Sequence, residues 1–196
     1  MAFIALLDAD VLVNAAVRDT LLRAAERDMY RLALTNQILA EMQHALEENL
    51  GKTRDQTDRL VTEIRRSFDG NFVDDYEGLI DAMSNDPKDR HVLAAAVRSR
   101  AEIIVTFNMK DFPPAVCIPY GVKAQRPATC LLGLWDRDPE TMAAIMVEQA
   151  GDLTGWTVEQ LIDRLGHDAP EFAAAVVASD LVRDLQANHE RYRTRG

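Results

Sequence analysis

The chain has 196 residues, of which 47% are apolar, and a formal net charge of −10. That is enough chain and apolar content for one ordinary α/β domain with a small appendage and a full core of its own. The acid excess argues against a protein that grips nucleic acid by bulk electrostatics. Two cysteines, Cys117 and Cys130, are too few for a disulfide frame or a zinc site and read as reduced core residues. No basic-then-apolar leader and no apolar run near the roughly 20 residues of a membrane span are present, so the expected address is the cytoplasm.

Phe3 to Leu7 is a short apolar run expected to form a first buried strand, and it ends at Asp8-Ala-Asp10 ahead of an amphipathic stretch. A second brief strand, Arg31 to Leu34, stops at Thr35-Asn36, where a helix with the apolar stripe Ile38, Leu39, Met42, Ala45 and Leu46 begins. Glu41 lies early on that helix and can point back to the strand's carboxyl edge. Residues 52–68 predict a polar amphipathic helix, and Tyr76 to Met83 a second, shorter one. Together, 52–83 form a helical arm.

Asp86-Pro87 reads as an N-cap followed by a first helical residue. Val92, Leu93, Ala96 and Val97 then give the apolar stripe, and Asp89 falls in the first turn. Ile103-Ile-Val-Thr106 is a β-branched run suited to a parallel strand covered on both faces, with Asp111 just beyond it. A last edge strand is expected near Val122 to Ala124, and a helix from Pro127. Beyond Trp135 the pattern is helical only, with starts at Asp138-Pro139, Thr157 (a capping box with Gln160) and Asp168-Ala-Pro170, the last running to about His189. The expected division is 1–135 for the α/β domain and 136–196 for a helical extension.

Strand–helix alternation predicts a parallel sheet with its ligands beyond the carboxyl ends of the strands. Asp8, Asp10, Glu41, Asp89 and Asp111 all head for that edge. Carboxylates converging this closely repel one another unless cations sit among them. Hard oxygen donors suit Mg²⁺ or Mn²⁺ better than zinc. The chemistry that uses such a site is attack of metal-activated water on a phosphodiester.

Four stretches resemble one family: Asp8-Ala-Asp10-Val-Leu12, Ile38-Leu-Ala-Glu-Met42, Asp86-Pro-Lys-Asp-Arg-His-Val-Leu-Ala-Ala-Ala96 and Ile104-Val-Thr-Phe-Asn-Met-Lys-Asp-Phe112. They are similar, in order and spacing, to the PIN domain, and most of all to the ribonuclease toxins of VapBC toxin–antitoxin systems. The resemblance spans about residues 1–131. It implies a PIN-like parallel sheet flanked by helices, a metal-dependent endoribonuclease, Mg²⁺ or Mn²⁺ as cofactor, a cognate antitoxin as partner and a homodimer. By it, Asp8, Glu41 and Asp89 match the first three metal-holding acids. Asn108 stands where many members have Asp, so Asp111 is taken as the fourth acid, with Asn108 assisting by hydrogen bonds. The extension at 136–190 resembles one found in a subset of these toxins, and its role stays open.

Other readings accompany these. Asp86 is a helix cap. Asp10 tunes Asp8, reaches metal through water, or only caps the next helix. His91 reads as a structural histidine, with orientation of a phosphate or a metal water as the alternative. Thr106 is positioned to hold a carboxylate. Lys88, Arg90, Arg98, Arg100 and Lys110 surround the acids in sequence and are candidates for RNA phosphates. The Arg191–Arg195 tail is either a frayed end or a contact for RNA or a partner, and Trp135 and Trp156 are expected to pack the extension onto the main domain. Two other function classes are compatible with parts of the pattern. Leu6-Leu-Asp-Ala-Asp10 also resembles the first motif of haloacid-dehalogenase phosphatases, with Asp8 as nucleophile, although that leaves Glu41 and Asp89 without a task. A non-cleaving PIN-like scaffold would show a broken acid set, and only Asn108 leans that way.

Overall fold

The structure is a computed structural model that describes residues 2–193, with side chains as far as 187. The tail Arg191–Arg195 falls outside the described side chains. The chain forms two compact units: residues 1–15 with 28–126, and residues 16–27 with 127–196.

In the first unit β1 (Ile4–Leu7) leads into a short helix α1 (Ala9–Val13). The chain returns as β2 (Arg31–Ala33), and α3 (Asn36–Leu50) and α4 (Arg54–Ser67) follow. Next come α5 (Arg90–Ser99), β3 (Ile103–Val105), the short α6 (Pro114–Cys117) and β4 (Lys123–Gln125). The strands make one parallel sheet in the order β2-β1-β3-β4. Beyond β2, Leu34 bridges Phe72 in parallel and prolongs the sheet by a single pair. The central strand is wholly buried at Ala5, Leu6 and Leu7, as a strand covered on both faces must be. Because all strands run the same way, the residues after them (Asp8, Leu34-Thr35 and Thr106) share one edge. Thr35 caps α3 by accepting from the Ile38 N–H at 3.0 Å.

Two local expectations are corrected here. Residues 86–89 form a turn, closed by the Asp89 N–H donating to the Asp86 carbonyl at 2.9 Å, and the helix begins only at Arg90. Asp86 stabilises that turn by accepting from the Lys88 N–H at 3.2 Å, so it is not the helix cap. Proline sets the second position of a turn as readily as the first of a helix. Between 76 and 83 the chain makes a 3-10 turn over Glu77–Ala82 and not an α-helix. Arm helix α4 forms where expected, with a Thr53/Gln56 capping box.

The second unit holds α2 (Ala15–Glu26, assigned from residue 16), α7 (Pro127–Arg137), α8 (Pro139–Asp152), α9 (Val158–Gly166), α10 (Pro170–Ala178) and α11 (Leu181–Arg193). Thr20 on α2 donates to the buried Gln149 on α8 at 2.7 Å, and Gln149 donates back to the Ala16 carbonyl at 3.1 Å. Arg23 on α2 and Arg27 just beyond it pair with Asp152 and Glu148 at 2.7 and 2.5 Å. This unit thus takes a helix from between the first two strands and begins at 127, nine residues before the expected 135/136 division. The single helix expected from 168 to 189 breaks at Ser179-Asp180, where the Ser179 hydroxyl oxygen accepts from the Leu181 N–H at 3.2 Å. Trp135 packs edge-on against Phe172 within this unit, with ring centroids 6.1 Å apart. Trp156, expected to be a packing residue, is 43% exposed. It lies in the turn between α8 and α9, where Gly155 takes a positive φ of 79°.

Candidate active site

Asp8 terminates the central strand and is only 7% exposed. It caps α1, accepting from the Ala9 N–H at 2.7 Å through Oδ1. Its other oxygen, Oδ2, accepts from the Thr106 hydroxyl at 2.8 Å. Thr106, fully buried at the end of β3, also faces Asp10 Oδ2 at 3.2 Å and accepts from the Asn108 N–H at 3.0 Å. Asp10 Oδ2 further accepts from the Phe107 N–H at 3.0 Å. One hydroxyl therefore ties the end of β1 to the end of β3 through two carboxylates.

Burial and the charge of Asp10, with a smaller contribution from Glu41, push the Asp8 carboxyl up to about 6. Asp10 is raised as well, chiefly by burial. Asp89 occupies the N-cap position of α5 but makes no side-chain cap bond, so its carboxylate is left to the site. Burial, hydrogen bonding with Asp111 and the charge of Asp8 push it up to about 6. Asp111 moves the other way: desolvation opposes ionisation, but the Asn108 amide, Asp89 and the ammonium of Lys88 outweigh it. Asn108 Nδ2 donates to Asp111 Oδ2. Lys88 Nζ lies 4.0 Å from Asp89 and 3.5 Å from Asp111.

Glu41, on the second turn of α3 and 40% exposed at its side chain, accepts through Oε1 from Gln37 Nε2 at 3.1 Å, and the same oxygen lies 3.0 Å from His91 Nε2. His91 is 4% exposed, and its Nδ1 has no partner among the described residues. Leaving such an atom buried and unpaired costs about 1–3 kcal/mol. Sequence spacing alone does not expose the His91–Glu41 pair, since the two residues come from different helices. Only Gln37, four residues before Glu41 on one helical face, was open to discovery that way.

The candidate acids thus fall into linked sets: Asp8 with Asp10 through Thr106, Asp89 with Asp111 and Asn108, and Glu41 with His91. The basic residues divide. Lys88 and Lys110 flank the acids, and Arg90 donates to the Asn85 carbonyl at 3.2 Å. Arg98, paired with Asp75 at 3.6 Å, and Arg100 stand at the far end of α5. Ten helical residues at about 1.5 Å each carry those two some 15 Å away from the acids.

Among the described residues no three His, Cys, Asp or Glu side chains form a group that could hold a metal ion as they stand. The donor set nevertheless fits a hard divalent cation. Asp10 Oδ1 and Asp89 Oδ2 are buried oxygens without a hydrogen-bond partner, in a cluster whose members raise one another's proton affinity. A cation would satisfy those oxygens and relieve that repulsion.

Fold and site define an α/β protein with an acidic, oxygen-donor site at the carboxyl edge of a parallel sheet. The chain matches the PIN domain family over residues 5–110 and belongs to it. That match includes Asp8, Glu41, Asp89 and Asn108 and stops one residue short of Asp111. Over 105 residues the chain is 45% identical to a Mycobacterium tuberculosis protein named "Putative ribonuclease VapC50", a stretch covering 53% of this chain and 62% of that protein. The match therefore spans less than two thirds of that relative's length. No solved structure matches the chain. Membership of the PIN family sets aside the phosphatase alternative. Among the described residues no helix is long and apolar enough to cross a membrane.

Proposed function

We propose that the protein is a metal-dependent endoribonuclease of the VapC toxin type, acting in the cytoplasm as a homodimer and silenced by a cognate antitoxin. The observation that carries this reading is the crowding of Asp8, Asp10, Glu41, Asp89 and Asp111 at one sheet edge with buried oxygens left unpartnered. The likeness to a relative named as a ribonuclease supports it. Asp8, Glu41, Asp89 and Asp111 would hold one or two Mg²⁺ or Mn²⁺ ions. When bound, such a cation lowers the pKa of water and offsets charge on the leaving oxygen.

The chain's own residues do the rest. Thr106 fixes Asp8 and Asp10 against each other, and Asn108 does the same for Asp111. Asp8 and Asp89, with carboxyls pushed up to about 6, would be held ionised by a bound cation. Lys88, exposed beside Asp89 and Asp111, supplies a positive charge within reach of an RNA phosphate.

The test incubates purified, antitoxin-free protein with total RNA in Mg²⁺, Mn²⁺ or EDTA, beside Asp8→Asn. Cleavage that requires metal and disappears in the variant is the expected result. RNA cleaved equally in EDTA, or equally by Asp8→Asn, would overturn the reading.

A further inference from the structure

Helix α5 buries His91, Val92, Leu93, Ala94, Ala95 and Ala96 in succession, and His91 is the one polar side chain in that run. A leucine would fill the place without burying an unpartnered nitrogen. The imidazole Nε2 lies 3.0 Å from Glu41 Oε1. With the Nε2–H tautomer donating, Nδ1 keeps only a lone pair, the less costly atom to bury alone. Glu41 needs such a hold. It projects from an exposed face of α3, and a free glutamate there would sample several rotamers. Oε1 accepts from Gln37 and lies 3.0 Å from His91 Nε2, while no described residue donates to Oε2. Glu41 also lies near enough to Asp8 for its charge to act there.

We propose that His91 is a positioning residue, a buried donor that fixes Glu41 by Oε1 so that Oε2 is held ready for a cation shared with Asp8 and Asp89. This rests on the metal-dependent reading above. A ligand oriented by a buried second residue loses about 10- to 100-fold in metal affinity when that residue is removed.

The test titrates the metal-free full-length chain with Mn²⁺ and reads free ion by electron paramagnetic resonance. His91→Leu should weaken Mn²⁺ binding by about 10- to 100-fold. His91→Gln, whose amide nitrogen can reach the position of Nε2, should restore most of it. In a Glu41→Ala background, where binding is already weakened, His91→Leu should change affinity by less than about 2-fold, because a residue that acts only through Glu41 has nothing left to act on. A merely structural histidine would cost the same in both backgrounds. Should His91→Leu fail to fold, His91→Asn, too short to reach Glu41, takes its place with the same expectation.

Unchanged Mn²⁺ affinity in the Leu or Asn variant, or a full loss that persists without Glu41, overturns the proposal and leaves the nuclease reading intact. Absence of any Mn²⁺ binding by the unsubstituted chain overturns both.

Discussion

Asp8 performs two tasks that conflict. It caps α1 and stands at the centre of the acid cluster, buried beside Asp10. A carboxyl near 6 in the fold and at 3.8 otherwise stays protonated longer in the folded state. Stability from this group is therefore highest below about pH 4, falls as pH rises through 6, and at neutral pH is lower by about 3 kcal/mol at most. Asp89 acts in the same direction. The metal-free protein should melt at a higher temperature at pH 5 than at pH 7.5, and saturating Mg²⁺ should narrow that gap. Asp8→Asn keeps the oxygen that caps Ala9 and removes the charge. It should abolish cleavage yet raise metal-free stability at pH 7.5 by about 1–3 kcal/mol, read by denaturant unfolding in EDTA. A destabilised Asn variant would show that repulsion is not what the cluster stores. Thr106→Val, similar in shape but without the hydroxyl, should reduce metal affinity by about 10-fold or more, since Asp8 and Asp10 lose their common donor. At this scale the places of Asp8 and Thr106 were legible in the sequence, since each directly follows a strand. The approach of His91 to Glu41 is not legible there, because 50 residues separate the two and only the fold joins them.

At the scale of elements, the first three strands were legible as short apolar runs, the third of them β-branched, and the fourth as an edge strand after a loop, each to within a residue or two. What the sequence concealed was where helices begin and end. Asp86-Pro87 carries a turn signal and a helix-start signal at once, and the turn prevailed; the shift moves Asp89 to a cap position it does not use, which frees its carboxylate. Around Ser179, the apolar residues Val177 and Leu181 stand four apart, so a helical rhythm reads across a real break. The α2–α8 contact was equally invisible, because a threonine in one helix and a glutamine 129 residues later carry no joint signal. That contact makes a sharp test. Gln149→Ala should cost about 2–3 kcal/mol, from the lost buried hydrogen bonds and the space left behind. Gln149→Leu should cost clearly less, since the Thr20 hydroxyl is then free to donate to the Ala16 carbonyl, 2.9 Å away, and keep it satisfied. Equal losses in urea unfolding would mean that volume alone matters there.

For the whole molecule, the surprise lies in connectivity. A helical tail added after residue 135 would be dispensable, and the sequence pattern reads that way because strand signals simply stop. In the structure α2 belongs with the C-terminal helices although the chain passes through it between β1 and β2. Its Val17, Leu21 and Leu22 are buried, and each such side chain left exposed forfeits about 1.5–3 kcal/mol. Three of them approach the whole stability of an ordinary domain, about 5–15 kcal/mol. Residues 1–135 keep α7 but lose α8, and with it Gln149, Glu148 and Asp152, the partners of Thr20, Arg27 and Arg23. That fragment should therefore fail to melt cooperatively and should give a poorly dispersed amide spectrum, while the full-length chain gives a sharp transition. The cause can be separated from mere shortening: the same fragment with Val17, Leu21 and Leu22 changed to Gln, Glu and Lys no longer exposes apolar surface and should recover solubility. If the unmodified fragment melted like the full chain, α2 would not depend on the C-terminal helices, and residues 136–196 would be an appendage after all.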